Sequence, residues 1–234
     1  MSSIWAVVPA AGLGRRMAAE VPKQYLQISG VTLLEHTLRA LLDCAQLRGL
    51  VVALDPGDRR ADNIGLLSDP RVMTTAGGVD RAESVRSGLA ALETLAEPND
   101  WVLVHDAARP CLPLNDLIGF VQTITESGVG GLLAQPCTDT LKVVSEDGVV
   151  ASTLDRATIW RAQTPQMFRL GILCAALDQA RKEGLHVTDE ASAVEASGYP
   201  VQILEGPASN IKVTVPDDLE LVKFHLRRMR EDKR

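Results

Sequence analysis

Short apolar runs alternate along this chain with longer stretches whose apolar residues recur three and four positions apart, and that alternation leaves few architectures open. The strand-like runs are Ile4–Val8, Leu50–Leu54, Val72–Thr75, Trp101–His105, Gly131–Gln135, Val201–Leu204 and Ile211–Val215. Several are apolar at consecutive positions, as strands covered on both faces must be. Helical spacing occupies Leu33–Leu42, Ala82–Leu95, Leu114–Thr125, Leu170–Lys182, Asp189–Ser197 and Asp217–Met229. In the last of these, Leu219, Val222, Leu226 and Met229 share one face. Asp217 and Asp218 open that helix and Arg227, Arg228 and Arg230 close it, so both ends complement the helix dipole. Alternating strand and helix predicts an α/β fold: one domain over residues 1–234, with a Rossmann-like, mainly parallel twisted sheet flanked by helices.

One segment interrupts the alternation. Leu141–Val144 and Val149–Leu154 flank Ser145-Glu146-Asp147-Gly148, and Asp-Gly between two β-branched runs signals a hairpin. The expectation is an inserted β-hairpin arm at about residues 138–158, acting as a lid or as an arm that grips a second subunit.

Composition narrows the function classes. At 46% hydrophobic and 23% charged residues, the chain has a soluble globular profile. Aromatics are only 3%, so Val, Leu, Ile and Ala must fill the core. A net charge of −6 argues against broad nucleic-acid binding, because polyanions repel acidic surfaces. Cys44, Cys111, Cys137 and Cys174 form no CxxC pair, so a disulfide frame or zinc site is not expected; they read as small buried apolar residues. The first residues lack the basic and apolar regions of a signal peptide. No apolar run reaches the ~18 residues of a membrane span. The expectation is a cytoplasmic enzyme with neither nucleic acid nor membrane as partner.

The richest segment follows the first strand: Pro9-Ala10-Ala11-Gly12-Leu13-Gly14-Arg15-Arg16-Met17, then Val21-Pro22-Lys23-Gln24. Gly12 and Gly14 let the backbone turn and approach a ligand. A loop at the C-terminal end of a parallel strand lies where open α/β sheets bind ligands, and its N–H groups can hold phosphate oxygens. Arg16 and Lys23 add full charges. Two familiar phosphate motifs fail. The dinucleotide fingerprint needs a small residue where Met17 stands, and the Walker A motif needs Gly-Lys-Ser/Thr, whereas Lys23 sits between Pro22 and Gln24.

The string resembles the signature of nucleotidyltransferases that couple a nucleoside triphosphate to a sugar phosphate. Further strings narrow the resemblance to the methylerythritol-phosphate cytidylyltransferases. They are Gly77-Gly78 with Arg81-Ala82-Glu83-Ser84-Val85, Val104-His105-Asp106-Ala107-Ala108-Arg109-Pro110, and Asp139-Thr140-Leu141-Lys142. Leu154-Asp155-Arg156, Trp160-Arg161-Ala162-Gln163-Thr164-Pro165-Gln166, Thr188-Asp189-Glu190-Ala191-Ser192 and Asn210-Ile211-Lys212-Val213-Thr214 complete the set in family order. Leu13 and Val79 depart from it at positions expected to vary.

The resemblance implies that an acceptor phosphate attacks the α-phosphorus of CTP and pyrophosphate leaves. The nucleophile is already an anion, so positioning and electrostatics must dominate. By the same resemblance Lys23 and Lys212 flank the α-phosphate, and Arg16 contacts the triphosphate tail. Pro9, Ala10, Ala11, Gly12, Leu13, Gly14, Gly77, Gly78, Ser84, Asp106 and Ala107 line the nucleotide site, with the Ser84 hydroxyl near the base edge. Asp106, Arg109, Thr140, Arg156, Thr188 and Thr214 meet methylerythritol phosphate. Mg²⁺ or another divalent cation is held mainly by the triphosphate, with Asp106 as a nearby carboxylate. The arm crosses to the other subunit of a homodimer, so each site borrows Thr140 and Arg156. Arg109 reads equally well as a structural partner of Asp106. His105 reads as a structural histidine, and His36, His186 and His225 lack metal-ligand spacing. Other readings are a polyol-phosphate cytidylyltransferase, a nucleotide-binding regulatory module, and an oxidoreductase, which the missing third glycine disfavours.

Overall fold

The computed structural model describes residues 2–12 and 21–231. In chain order the elements are β1 (Ile4–Pro9), β2 (Gln27–Ile28), β3 (Val31–Thr32), α1 (Leu33–Leu42), β4 (Gly49–Leu54), β5 (Val72–Ala76) and α2 (Arg81–Leu92). They continue with β6 (Trp101–Val104), α3 (Leu114–Ser127), β7 (Gly131–Pro136), β8 (Lys142–Val144), β9 (Val150–Thr153) and β10 (Trp160–Arg169). The chain closes with α4 (Leu170–Glu183), α5 (Glu190–Ala196), β11 (Gln202–Glu205) and α6 (Asp218–Glu231).

Side-chain chemistry sets the helix starts. Thr32 and Glu35 form a reciprocal capping box ahead of α1. The Asp80 carboxylate accepts from the Glu83 N–H ahead of α2, and Asp189 and Ser192 cap α5 in the same reciprocal way.

Seven strands form one sheet in the order β11-β7-β10-β6-β1-β4-β5. All neighbours are parallel except β10, which runs antiparallel to both β6 and β7. Alternate side chains along each strand serve opposite faces. Ala6 and Val8 of β1 join Leu103 of β6 in the core beneath α1 and α3. Trp5, Val7, Val102 and Val104 join the core beneath α2 and α4. Gly88 of α2 lies so close to β1 that a Cβ there would collide with the Val7 side chain.

After β1 the chain builds outward through β4 and β5, then α2 returns it to the opposite side of β1, where β6 pairs. That reversal opens a crevice at the C-terminal ends of β1 and β6.

Two sequence expectations fail. Ile211–Val215 is not a strand. Its apolar alternation is satisfied by burial, since Val213 packs with Ile28, Leu33, Cys111, Val222 and Leu226 beneath α6, and its N–H bonds the Ala108 carbonyl at 2.9 Å. The converse error is β10, which was not anticipated. It buries Gln163, Thr164 and Gln166 ahead of Met167 and Phe168, so its apolar signature is cut to two residues. Pro165 falls where the register with β7 shifts between Ala162 and Gln166, a position where a missing N–H is tolerated.

The hairpin is present. β8 and β9 pair antiparallel in a sheet of their own, and Gly148 takes the left-handed turn conformation at φ 76°. Every residue of both strands is exposed.

Candidate active site

The crevice at the ends of β1 and β6 is lined by Pro9, Ala10, Ala11, Gly12, Lys23, Gly78, Ser84, Asp106, Ala107 and Lys212, with Gln24, Val79, Asp80, Arg81 and Ala108. Small residues make its walls narrow. Gly77 abuts Ala11 so closely that a Cβ on Gly77 would overlap the Ala11 methyl, and the Gly77 N–H bonds the Leu54 carbonyl at 2.7 Å. Ser84 is buried in the first turn of α2. Its hydroxyl accepts from the Gly78 N–H at 3.1 Å and donates to the Asp80 carbonyl at 2.8 Å. The hydroxyl expected at a base edge therefore also braces the Gly78–Asp80 turn.

Lys23 opens a single 3₁₀ turn, Lys23–Tyr25. The next residue, Gln24, donates its side-chain amide to the Ala10 carbonyl at 2.8 Å, tying this turn to the end of β1. The Lys23 ammonium donates to the Val213 carbonyl at 3.4 Å, beside Lys212 in the chain.

Asp106, two residues past the end of β6, is the electrostatic centre. Its carboxylate is buried at 6% exposure. Oδ1 accepts from Arg81 Nε at 2.9 Å. Oδ2 meets Lys212 Nζ at 2.8 Å and Arg109 Nε at 3.4 Å. Burial alone would raise the Asp106 pKa, but the charges of Arg81, Lys212 and Arg109 together hold it well below the usual carboxylate range. Arg81 in turn forks onto Glu190, with Nη1–Oε1 at 2.7 Å and Nη2–Oε2 at 3.0 Å.

Arg109 is buried and donates to the Asn210 carbonyl at 2.7 Å, tying the β6 turn to the loop that carries Lys212. His105 is fully buried, and burial pushes its pKa down to about 4. Its Nε2 faces the Arg109 carbonyl at 3.1 Å, and Nδ1 faces the Thr164 hydroxyl at 3.1 Å. A carbonyl only accepts, so the proton sits on Nε2 and Nδ1 accepts from Thr164.

Among the described residues, the remaining expected ones lie off the crevice lining. Thr214 bonds Asp218 through both its N–H and hydroxyl, at 2.7 and 2.9 Å. Thr188 is exposed just before α5 and its N–H bonds the Ser192 hydroxyl at 3.2 Å. Thr140 and Arg156 are exposed at the base of the arm, where the Arg156 guanidinium bonds the Thr138 carbonyl. Leu13, Gly14 and Arg16 fall outside the described residues. Among the described residues, no group of three or more His, Cys, Asp and Glu is arranged to hold a metal.

Sequence reasoning gave Arg81, Glu190 and Gln24 no individual role beyond their places in the family strings. One signal was available for Arg81. It follows the N-cap Asp80 directly, and a cation in the first helical turn opposes the helix dipole, so its presence there calls for a carboxylate partner elsewhere.

A family model described as IspD, 2-C-methyl-D-erythritol 4-phosphate cytidylyltransferase, matches residues 4–228. The chain is similar to proteins bearing that enzyme name from two bacteria. The Ectopseudomonas mendocina protein is 51% identical over 93% of each chain. The Pseudomonas aeruginosa protein is 50% identical over 94% of each. Among solved structures, that of Francisella tularensis 2-C-methyl-D-erythritol 4-phosphate cytidylyltransferase superposes with TM-score 0.83 at 35% identity, covering 96% of this chain and 100% of that one.

Proposed function

The chain belongs to the 2-C-methyl-D-erythritol 4-phosphate cytidylyltransferase family, and from that premise we propose how its crevice performs the reaction. The protein is a nucleotidyltransferase. It moves the cytidylyl group of CTP onto 2-C-methyl-D-erythritol 4-phosphate, giving 4-diphosphocytidyl-2-C-methyl-D-erythritol and pyrophosphate on the way to isoprenoid precursors. An acceptor phosphate oxygen forms a bond to the α-phosphorus, the bond to the pyrophosphate oxygen breaks, and no proton must be removed. Bringing two anions together is the obstacle, so fixed cations supply the catalysis.

The observation that carries this reading is the convergence of Lys23, Lys212 and buried Asp106 in one crevice at the sheet's switch point. Asp106 holds Lys212 by one ion pair at 2.8 Å, which keeps a compact cation at the crevice wall while leaving its other donors for phosphoryl oxygens. Lys23 serves the same phosphate from the Pro22–Gln24 side, and Arg16 the triphosphate tail. Ala10, Ala11, Gly12, Gly78 and Ala107 line the crevice with little or no side chain, and Gly77 packs against Ala11, which suits a flat pyrimidine ring.

A divalent cation, when bound, neutralises part of the triphosphate charge. Both Asp106 oxygens are engaged by protein cations, so a bound Mg²⁺ would draw its ligands chiefly from the triphosphate.

The acceptor is met by Asp106, Arg109, Thr188 and Thr214 from one subunit and by Thr140 and Arg156 from the arm of the other. Two features support a homodimer with arm exchange. An isolated two-stranded hairpin is marginal in water, and Val143, Val144, Val149, Val150 and Leu154 leave this one exposing apolar surface. We place the enzyme in the cytoplasm; no described helix is long and apolar enough to cross a membrane.

Pyrophosphate release with CTP, Mg²⁺ and a panel of polyol phosphates tests this function. Release with 2-C-methyl-D-erythritol 4-phosphate, and none without acceptor, is expected. Release with ribitol phosphate alone would move the enzyme to a different acceptor.

A further inference from the structure

We propose that Glu190 is a positioning residue for cytidylyl transfer, acting through Arg81 on the carboxylate that holds Lys212. The inference deepens the function proposed above and rests on the reading of Asp106 and Lys212 as parts of the reacting site.

Glu190 is 1% exposed at the first position of α5. A carboxylate so buried is costly unless its charge and lone pairs are met, and both its oxygens accept from the Arg81 fork at 2.7 and 3.0 Å. A two-point guanidinium–carboxylate contact fixes orientation as well as distance. The third nitrogen of the Arg81 guanidinium, Nε, is thereby aimed at Asp106 Oδ1 at 2.9 Å. With Oδ1 pinned, the flat carboxylate of Asp106 has one orientation left, the one that presents Oδ2 to Lys212 Nζ at 2.8 Å. The chain of contacts thus runs from α5 to the start of α2, to the end of β6, to Lys212.

Charge makes the same point. Arg81 divides its single positive charge between two carboxylates. If Glu190 were neutral, the Arg81 charge would be less compensated and would repel Lys212 more strongly across the shared Asp106. The Arg81 side chain would also lose its fixed geometry. Lys212 acts on charge that develops only as the α-phosphorus reacts, so its misplacement costs turnover more than nucleotide binding.

The test compares Glu190→Gln, Asp106→Asn and the double variant, with kcat and the KM for CTP measured well below each variant's melting temperature. For Glu190→Gln, kcat should fall roughly 10–100-fold, the scale of a small misplacement, while KM changes less than about threefold. The double variant should be no slower than Asp106→Asn alone, because Glu190 acts through Asp106. Multiplied losses, or a folded Glu190→Gln enzyme turning over like wild type beside an impaired Asp106→Asn, would overturn the proposal and leave the site reading intact. A wild-type Asp106→Asn enzyme would sink the site reading itself. If Glu190→Gln does not fold, Arg81→Lys carries the same comparison, since it keeps the charge and loses the fork. An unchanged kcat in Arg81→Lys would equally overturn the proposal.

Discussion

Lys23 and Lys212 occupy the same crevice but are held differently, one near a backbone carbonyl and the other by a buried carboxylate. Replacing either by Ala should lower kcat by about 10²–10³, the usual cost of one preorganised donor, with thermal unfolding little changed. Wild-type turnover in either variant would refute its role. His105 gives a second expectation. Its folded pKa of about 4 lies below the ordinary histidine value of 6.5. The unfolded chain therefore binds the extra proton first, and stability falls as pH drops from 6.5 towards 4. Between pH 7 and 5 this amounts to about 2 kcal/mol from this residue. Urea midpoints at the two pH values should show that loss, and His105→Gln should show less of it. At this scale the sequence identified the crevice residues by type and order, as with Lys23, Asp106 and Lys212. It did not show that Glu190 sits beside Arg81, because a contact across 109 positions leaves no local pattern.

Elements were legible where burial followed a period. The apolar spacing of Leu33–Leu42 coincides with α1, and Asp147-Gly148 marked the arm's turn. β10 was not legible, because the amides and hydroxyl of Gln163, Thr164 and Gln166 interrupt its buried run, and their cost is met by specific bonds. Gln166, for example, donates to Asp189 at 2.9 Å and accepts from the Ala191 N–H at 2.8 Å. Ile211–Val215 misled for the opposite reason, since apolar residues buried beneath a helix alternate as strand residues do. The seating of α2 on the sheet depends on Gly88 having no side chain. Gly88→Ala should push α2 away from Val7 and destabilise the fold by about 1–3 kcal/mol, as overpacking does. Denaturant titration measures this, and an unchanged midpoint would show that α2 yields without cost.

At the scale of the whole molecule, the crevice residues come from many points along the chain, from Pro9 to Lys212, while the arm pairs with itself alone in the described chain. If arms are exchanged, an Arg156→Met chain mixed with a Lys23→Ala chain should regain activity, since a heterodimer holds one site with both residues intact. Absence of recovery after verified subunit exchange would place Arg156 outside the neighbouring site.

The self-contained hairpin has one more consequence. Because β8 and β9 lend no rung to the seven-stranded sheet, the arm can accumulate substitutions without disturbing the phosphate cradle. If the arm meets the acceptor of a neighbouring site, a lineage could retune which alcohol phosphate it accepts by drift in a strip of surface residues, while its triphosphate chemistry stays as inherited.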